Sequence, residues 1–261
     1  HPHWDIPATR IIRSMRNLRT DIQVLRAIAV LSVLIFHFDL PGLNKGFLGV
    51  DIFFVISGYL MSRVIVDEMD EGRFSAVSFY FRRARRLLPA ALVMFTLVTL
   101  LAPWVLTISA LHAYAMQLAG SLGFVANIVL WRQSGYFDGE ATLKPLLHTW
   151  SLALEEQYYF ALPLVLGFVG WIGRRWRAPV LISLTMASFA LCQWWLHQDP
   201  SGAFYLLPTR AWELLAGSLC ALPGWRARLD GKQRFDTSCL CLPLMACSLI
   251  WGVDGVHPRW D

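Results

Sequence analysis

Seven stretches of mostly apolar residues, each close to the length that crosses a bilayer, confine this chain to a bundle of membrane helices. They run over about 23–40, 46–66, 87–106, 151–173, 179–197, 203–223 and 237–253. A helix needs roughly 20 such residues to span about 30 Å of hydrocarbon, and lipid offers exposed backbone groups no partner, so spanning segments must be helices or closed barrels. The expected fold is all-α: a polytopic transmembrane bundle of about seven spans, with a basic tail over 1–20 and a membrane domain over 21–261. A weaker segment, 107–131, contains His112, Gln117, Asn127 and two glycines. It reads as re-entrant or interfacial, following a break at Pro103-Trp104.

Charge distribution orients the bundle. With 107–131 left out of the span count, 17 of the 23 Lys and Arg fall on one side, 4 on the other, and Arg26 and Arg210 lie within spans. Basic residues gather on the cytoplasmic side, so the N-terminus is expected inside and the 104–150 connection outside. Arg174, Arg175 and Arg177 then count as cytoplasmic topology determinants. The chain is 56% hydrophobic and 16% charged, against about 45–50% and 25% for soluble domains. Basic clusters beside apolar spans, without interleaved aromatics outside the membrane, argue against nucleic-acid binding. The five cysteines lie in apolar segments at spacings that match no zinc pattern; no metal site is expected, and small packing residues is the better reading. A chain that begins at His1 and stops just after an apolar stretch reads as a fragment of something longer.

An ionisable group in a spanning helix costs about 2.5–3.5 kcal/mol on insertion scales and by default marks function. Arg26 and His37 lie on the first span, about 16 Å apart at 1.5 Å per residue, which puts Arg26 towards the cytoplasm and His37 near the outer face. Asp51 enters the second span at about the level of His37. Glu155 and Glu156 begin a later descending helix, and Arg210 and Glu213 lie in another. The layout predicts one polar focus in the outer half and a separate one, Arg82, Arg83, Arg85 and Arg86, at the cytoplasmic mouth.

Five segments, in order, resemble the motifs of the acyltransferase 3 family. Arg26 is followed by ten residues and His37; Gly49-Val50-Asp51-Ile52-Phe53-Phe54-Val55-Ile56-Ser57-Gly58-Tyr59 comes next. Phe81-Arg82-Arg83-Ala84-Arg85-Arg86-Leu87-Leu88-Pro89 is the third, and His148-Thr149-Trp150-Ser151-Leu152-Ala153-Leu154-Glu155-Glu156-Gln157-Tyr158-Tyr159, with Pro163 following, the fourth. The stretch from Tyr205 through Pro208, Arg210, Trp212 and Glu213 to Gly217 resembles a later motif of the subgroup often fused to a C-terminal SGNH-type domain. The resemblance covers about 20–220 and implies a multi-pass bacterial inner-membrane enzyme. It implies an acyl-CoA donor, expected to be acetyl-CoA, on the cytoplasmic side and no permanently bound cofactor. The acceptor it implies is a surface glycan on the other side, such as a polysaccharide, lipopolysaccharide or O-antigen.

On that reading His37 is the catalytic centre, as base or transient acyl carrier, because imidazole titrates near neutral pH. Asp51 orients it, or else simply stabilises a helix start. Arg26 contacts the donor or neutralises an internal carboxylate. Arg82, Arg83, Arg85 and Arg86 hold the phosphates of CoA through guanidinium forks, or anchor a helix end to anionic lipid. His148, Trp150, Glu155, Glu156, Tyr159, Arg210 and Glu213 shape the acceptor side, with Glu155 or Glu156 also a candidate partner of Arg210. Ser57-Gly58 reads as a close helix packing site rather than a nucleophile. A secondary transporter is the main alternative, because it too needs embedded charges and broken helices, but the two halves show no inverted repeat.

Overall fold

The computed structural model describes residues 20–38, 48–134 and 144–224, and among these residues every regular element is a helix. The basic tail, the span expected over 237–253, and Cys239, Cys241 and Cys247 lie outside the described residues. The chain divides into two compact units, residues 1–53 and 54–261. The first contains α1 (Thr20–His37) and the opening turns of α2 (Leu48–Asp70). Here Gly49 meets α1 at backbone distance: a Cβ on it would lie 2.4 Å from the Ala29 carbonyl oxygen and 2.9 Å from Val33 Cγ2.

The second unit begins within α2 and continues with α3 (Ala76–Val105), α4 (Ile108–Leu122), α5 (Ala126–Gln133), α6 (Thr149–Ile172), α7 (Arg177–Leu196), α8 (Pro200–Tyr205) and α9 (Leu207–Cys220). α3 shows why lipid is the solvent. Its 18-residue apolar window has a mean hydropathy of 2.0 and is only 11% buried, leaving Leu97, Leu100, Leu101, Trp104 and Val105 exposed. A continuous apolar face of that length belongs against acyl chains, not water. α2, α3 and the segment Arg174–Leu196 are each long and apolar enough to cross a membrane.

α2 and α9 cross with almost nothing between their backbones. A Cβ on Gly58 would sit 1.9 Å from the Leu214 carbonyl oxygen, and one on Gly217 would sit 2.0 Å from the Val55 carbonyl oxygen. Small residues permit this approach, and Ser218 Oγ completes it by donating to the carbonyls of Leu214 (2.9 Å) and Gly58 (3.3 Å). Gly58 therefore packs as the sequence suggests.

Three expectations about spans need correction. The segment 203–223 is not one helix: Leu206 is extended between α8 and α9. Pro208 is the reason, since it lacks the N–H that a continuing helix would aim at Phe204, and it is tolerated only in a first turn. α9 alone, at 14 residues, reaches about 21 Å, short of a full crossing. Helix α3 starts well before residue 87, N-capped by Ser75, and so carries all four arginines of its motif. It also runs through Pro103 to Val105, moving the break to Leu106-Thr107. The weak segment 107–131, expected to be re-entrant or interfacial, needs no such correction: it is a helix, a break and a helix, turning at Phe124 with φ +55°.

Replacing Gly217 with Leu is expected to reduce thermal stability by at least the 1–3 kcal/mol typical of overpacking, because the obstructing atoms are backbone. Gly167→Ala, whose added Cβ meets only Met69 Cε at 3.9 Å, is expected to be neutral or stabilising by about 1 kcal/mol. Melting followed by size-exclusion chromatography in detergent separates the two; equal behaviour would contradict the crossing.

Candidate functional site

The second unit holds a polar knot where α2, α3 and α6 meet. Arg83 projects from the second turn of α3 and reaches Glu156 through Nε at 2.7 Å and Nη2 at 2.6 Å. Its Nη2 also lies 3.9 Å from Glu155 Oε2, and the guanidinium carbon stands 3.8 Å from the centre of the Tyr159 ring. Glu155 in turn accepts from Ser57 Oγ at 2.8 Å and from the Tyr159 hydroxyl at 3.4 Å. Two carboxylates face one guanidinium, all less than 20% exposed, leaving one formal negative charge among hydroxyl donors. Such a group can accept a proton or orient a substrate hydroxyl.

Local sequence explains the convergence. Glu155, Glu156 and Tyr159 project from adjacent positions of α6, with the (155, 159) pair on one face. Pro163 has no N–H, so the Tyr159 carbonyl loses its usual helical partner. The Tyr80 hydroxyl, one turn before Arg83 on α3, donates there at 3.4 Å and to the Phe160 carbonyl at 3.3 Å. The same rule operates at the α4–α5 break. Gln157 Nε2 donates to the Phe124 carbonyl and to Asn127 Oδ1, both at 2.8 Å, while Asn127 Nδ2 donates to the Tyr205 carbonyl at 3.0 Å. Backbone that leaves helical geometry at membrane depth is thus answered by side chains.

A second feature is a closed aromatic cage. Arg210 is 2% exposed, with its guanidinium 5.2–5.6 Å from the ring centres of Phe54, Trp150 and Phe204. Its Nε lies 3.3 Å from Oε1 of Glu213, which is fully buried one turn along the same helix. Cation–π attraction strengthens where water is excluded, so the cage ties α2, α6, α8 and α9 together.

Asp51 is 1% exposed, Arg26 is exposed on α1, and the side chain of His37 lies outside the described residues. His148 is exposed at the start of α6. The structure divides the arginine cluster. Arg82 bonds Glu68 at 2.8 Å, Arg85 lies over Phe81, and Arg86 is exposed. The two separate polar foci expected from the layout are therefore not observed: Arg83 and the Glu155-Glu156 pair are one cluster. Glu155 and Glu156 pair with Arg83, not with Arg210, whose partner Glu213 is on its own helix. Ser57, read as packing, is a member of the site; its neighbour Gly58 faces α9 while Ser57, about 100° round the helix, faces Glu155. Among the described residues no group of three His, Cys, Asp or Glu is placed to hold a metal ion.

Arg83→Gln leaves two adjacent carboxylates without their counter-charge. The expected loss is roughly 3 kcal/mol, the low end for breaking a buried pair, since Arg83 keeps 19% exposure. Arg83→Gln with Glu156→Gln is expected to be more stable than the sum of the two single changes. Additive melting shifts would show that the pair is not coupled.

The model of the acyltransferase domain family matches residues 19–261. Among curated relatives, a Komagataeibacter xylinus protein named as a candidate membrane-bound transacylase, BcsY, is 38% identical over 207 residues, 78% of this chain and 51% of the relative. A Bacillus subtilis protein named as a candidate peptidoglycan O-acetyltransferase, YrhL, is 38% identical over 218 residues, 80% of this chain and 34% of the relative. The peptidoglycan O-acetyltransferase OatA of Listeria monocytogenes is 33% identical over 222 residues, 82% of this chain and 35% of the relative. The chain thus spans about half the length of the first and about a third of the other two, and no solved structure matches it. With the motif segments carried on membrane-type helices and the family model matched from α1 onwards, the chain belongs to the acyltransferase domain family, the acyltransferase 3 family of its five motifs.

Proposed function

We propose that this chain is the membrane domain of an O-acyltransferase that moves an acyl group, expected to be acetyl, from acyl-CoA to a hydroxyl of a cell-envelope glycan. The observation that carries this reading is the family match over residues 19–261 in a chain whose helices suit lipid. The names of two relatives favour peptidoglycan among the possible glycans. The proposed location is the bacterial inner membrane with the N-terminus cytoplasmic, and an SGNH-type domain is a proposed companion. The transporter alternative finds no support in the family or the relatives.

In the proposed mechanism His37 takes the proton of the acceptor hydroxyl, or carries the acyl group between donor and acceptor. Asp51, buried close to the start of its helix, orients and charge-balances that imidazole, as a third group does in hydrolase triads. Arg26 and the exposed Arg85 and Arg86 meet the phosphate end of the donor. Glu155, held by Ser57 and Tyr159, receives a sugar hydroxyl, with Glu156 and His148 completing the acceptor side. Trp150, Arg210 and Glu213 act by holding the surrounding helices, since the cage is closed to solvent.

His37→Ala is expected to lower acylation of added glycan in membranes supplied with labelled acetyl-CoA by 10²-fold or more, with membrane insertion unchanged. Undiminished transfer removes His37 from the mechanism. Orientation is tested by placing a cysteine at exposed Ser109 or exposed Arg175 in intact cells. An impermeant maleimide should label position 109 directly and position 175 only after permeabilisation; the reverse pattern inverts the topology.

A further inference from the structure

The turn joining α6 to α7 carries three arginines within four residues, and the fold gathers them around a cavity. Arg174, Arg175 and Arg177, with Asp70 at the end of α2 and Ala178 in the first turn of α7, line a space of about 540 Å³. The short stretch 222–224 after α9 closes another side. That volume is within the roughly 300–1,000 Å³ of small-molecule sites. Gly173, at φ +148°, provides the reversal: a side chain there would be strained, and without the turn the three arginines would not face one space.

The charges in this cavity are unevenly matched. Among the described residues Asp70 is the one carboxylate on its wall. It accepts from Arg177 Nη1 at 2.7 Å and lies 3.4 Å from Arg174 Nε, while the Asp70 carbonyl accepts from Arg174 Nη2 at 3.2 Å. Two formal positive charges remain. The Arg177 side chain is only 7% exposed, yet its Nε has no hydrogen-bond partner among the described residues. Buried guanidinium N–H groups are costly when left unanswered. The Arg177 guanidinium folds back over α6, where Gly170 makes room: a Cβ there would be 3.4 Å from Nη2. Arg175 is exposed, and among the described residues it makes only a ring contact, to Trp176 at 5.9 Å. α7 also begins without a side-chain cap, so its positive dipole end adds to the field. Planar forks with spare N–H groups around a space of this size suit the several oxygens of a phosphate.

We propose that this cavity is a binding site for a phosphate-bearing ligand. Two sources share that chemistry: the phosphates of a CoA-linked donor and the headgroup of an anionic lipid. The donor source rests on the acyltransferase reading above; the lipid source does not. Arg82 and Arg83 are engaged by Glu68, Glu155 and Glu156, so the motif cluster leaves only part of its charge for donor phosphates, and this cavity offers a second place for them.

The test uses the full chain in nanodiscs, wild type against Arg174→Gln/Arg175→Gln, with Arg175→Gln alone as the milder variant; both side chains are exposed, so folding should persist. In neutral phosphatidylcholine discs, calorimetric titration with coenzyme A and with phosphate-free pantetheine reads the donor source. In discs containing phosphatidylglycerol, native mass spectrometry reads retained lipid. A tenfold or larger loss of coenzyme A affinity in the double variant, with pantetheine unaffected, supports the site with the donor as its source. Loss of retained phosphatidylglycerol with coenzyme A binding unchanged supports it with lipid as the source. Changes below twofold in both arms overturn the proposal. A wild-type chain that binds no coenzyme A sinks the donor reading on its own, and the lipid arm then decides the cavity.

Discussion

The contact on which the rest of the second unit depends is the backbone crossing of α2 and α9 at Gly58 and Gly217. In lipid the hydrophobic effect does not press helices together, so close packing and interhelical hydrogen bonds must do so. The crossing supplies both, with carbonyls of one helix where side chains would otherwise stand and Ser218 bonding across. It also sets the rotation of α2. Once Gly58 faces α9, Ser57 is turned towards α6 and Glu155, and Phe54 towards the Arg210 cage. Packing and site geometry are two consequences of one helix orientation.

Around that axis the fold follows a single accounting rule. Every departure from helical geometry in hydrocarbon must be met by a nearby polar group. Pro163 removes a donor and Tyr80 answers; Phe124 breaks a helix and Gln157 answers; the end of α8 leaves the Tyr205 carbonyl to Asn127. The residues that answer are on other helices, so each local break becomes a tertiary tie. This is how a set of short or interrupted helices holds a polar interior in place.

Charge is treated differently at the two kinds of site. Arg210 and Glu213 are sealed from water and fixed by three aromatic rings, an arrangement suited to holding helices in register. Arg83, Glu155 and Glu156 stay partly accessible, with two carboxylates to one guanidinium. At the α6–α7 turn the imbalance has the opposite sign, so the unit presents an anionic interior cluster and a cationic cavity at a helix end.

The linear order of residues was enough to determine the all-α membrane character, most helix positions and the five family motifs. These depend on local hydropathy and on residue types that lie side by side in the chain. Gly58 was legible for the same reason, because a small residue within an apolar span has few other uses. What only the tertiary structure decided is which charges meet. Arg83 finds Glu155 and Glu156 more than seventy residues away, and Ser57 finds Glu155 ninety-eight residues away. Nothing in spacing or periodicity encodes those distances, because they are set by how far α3 extends before residue 87 and by how α2 and α6 are rotated. The interruption at Leu206 was half visible in Pro208, yet apolar composition on both sides concealed it: hydropathy reports what a segment dissolves in, and not whether its hydrogen-bond ladder is continuous.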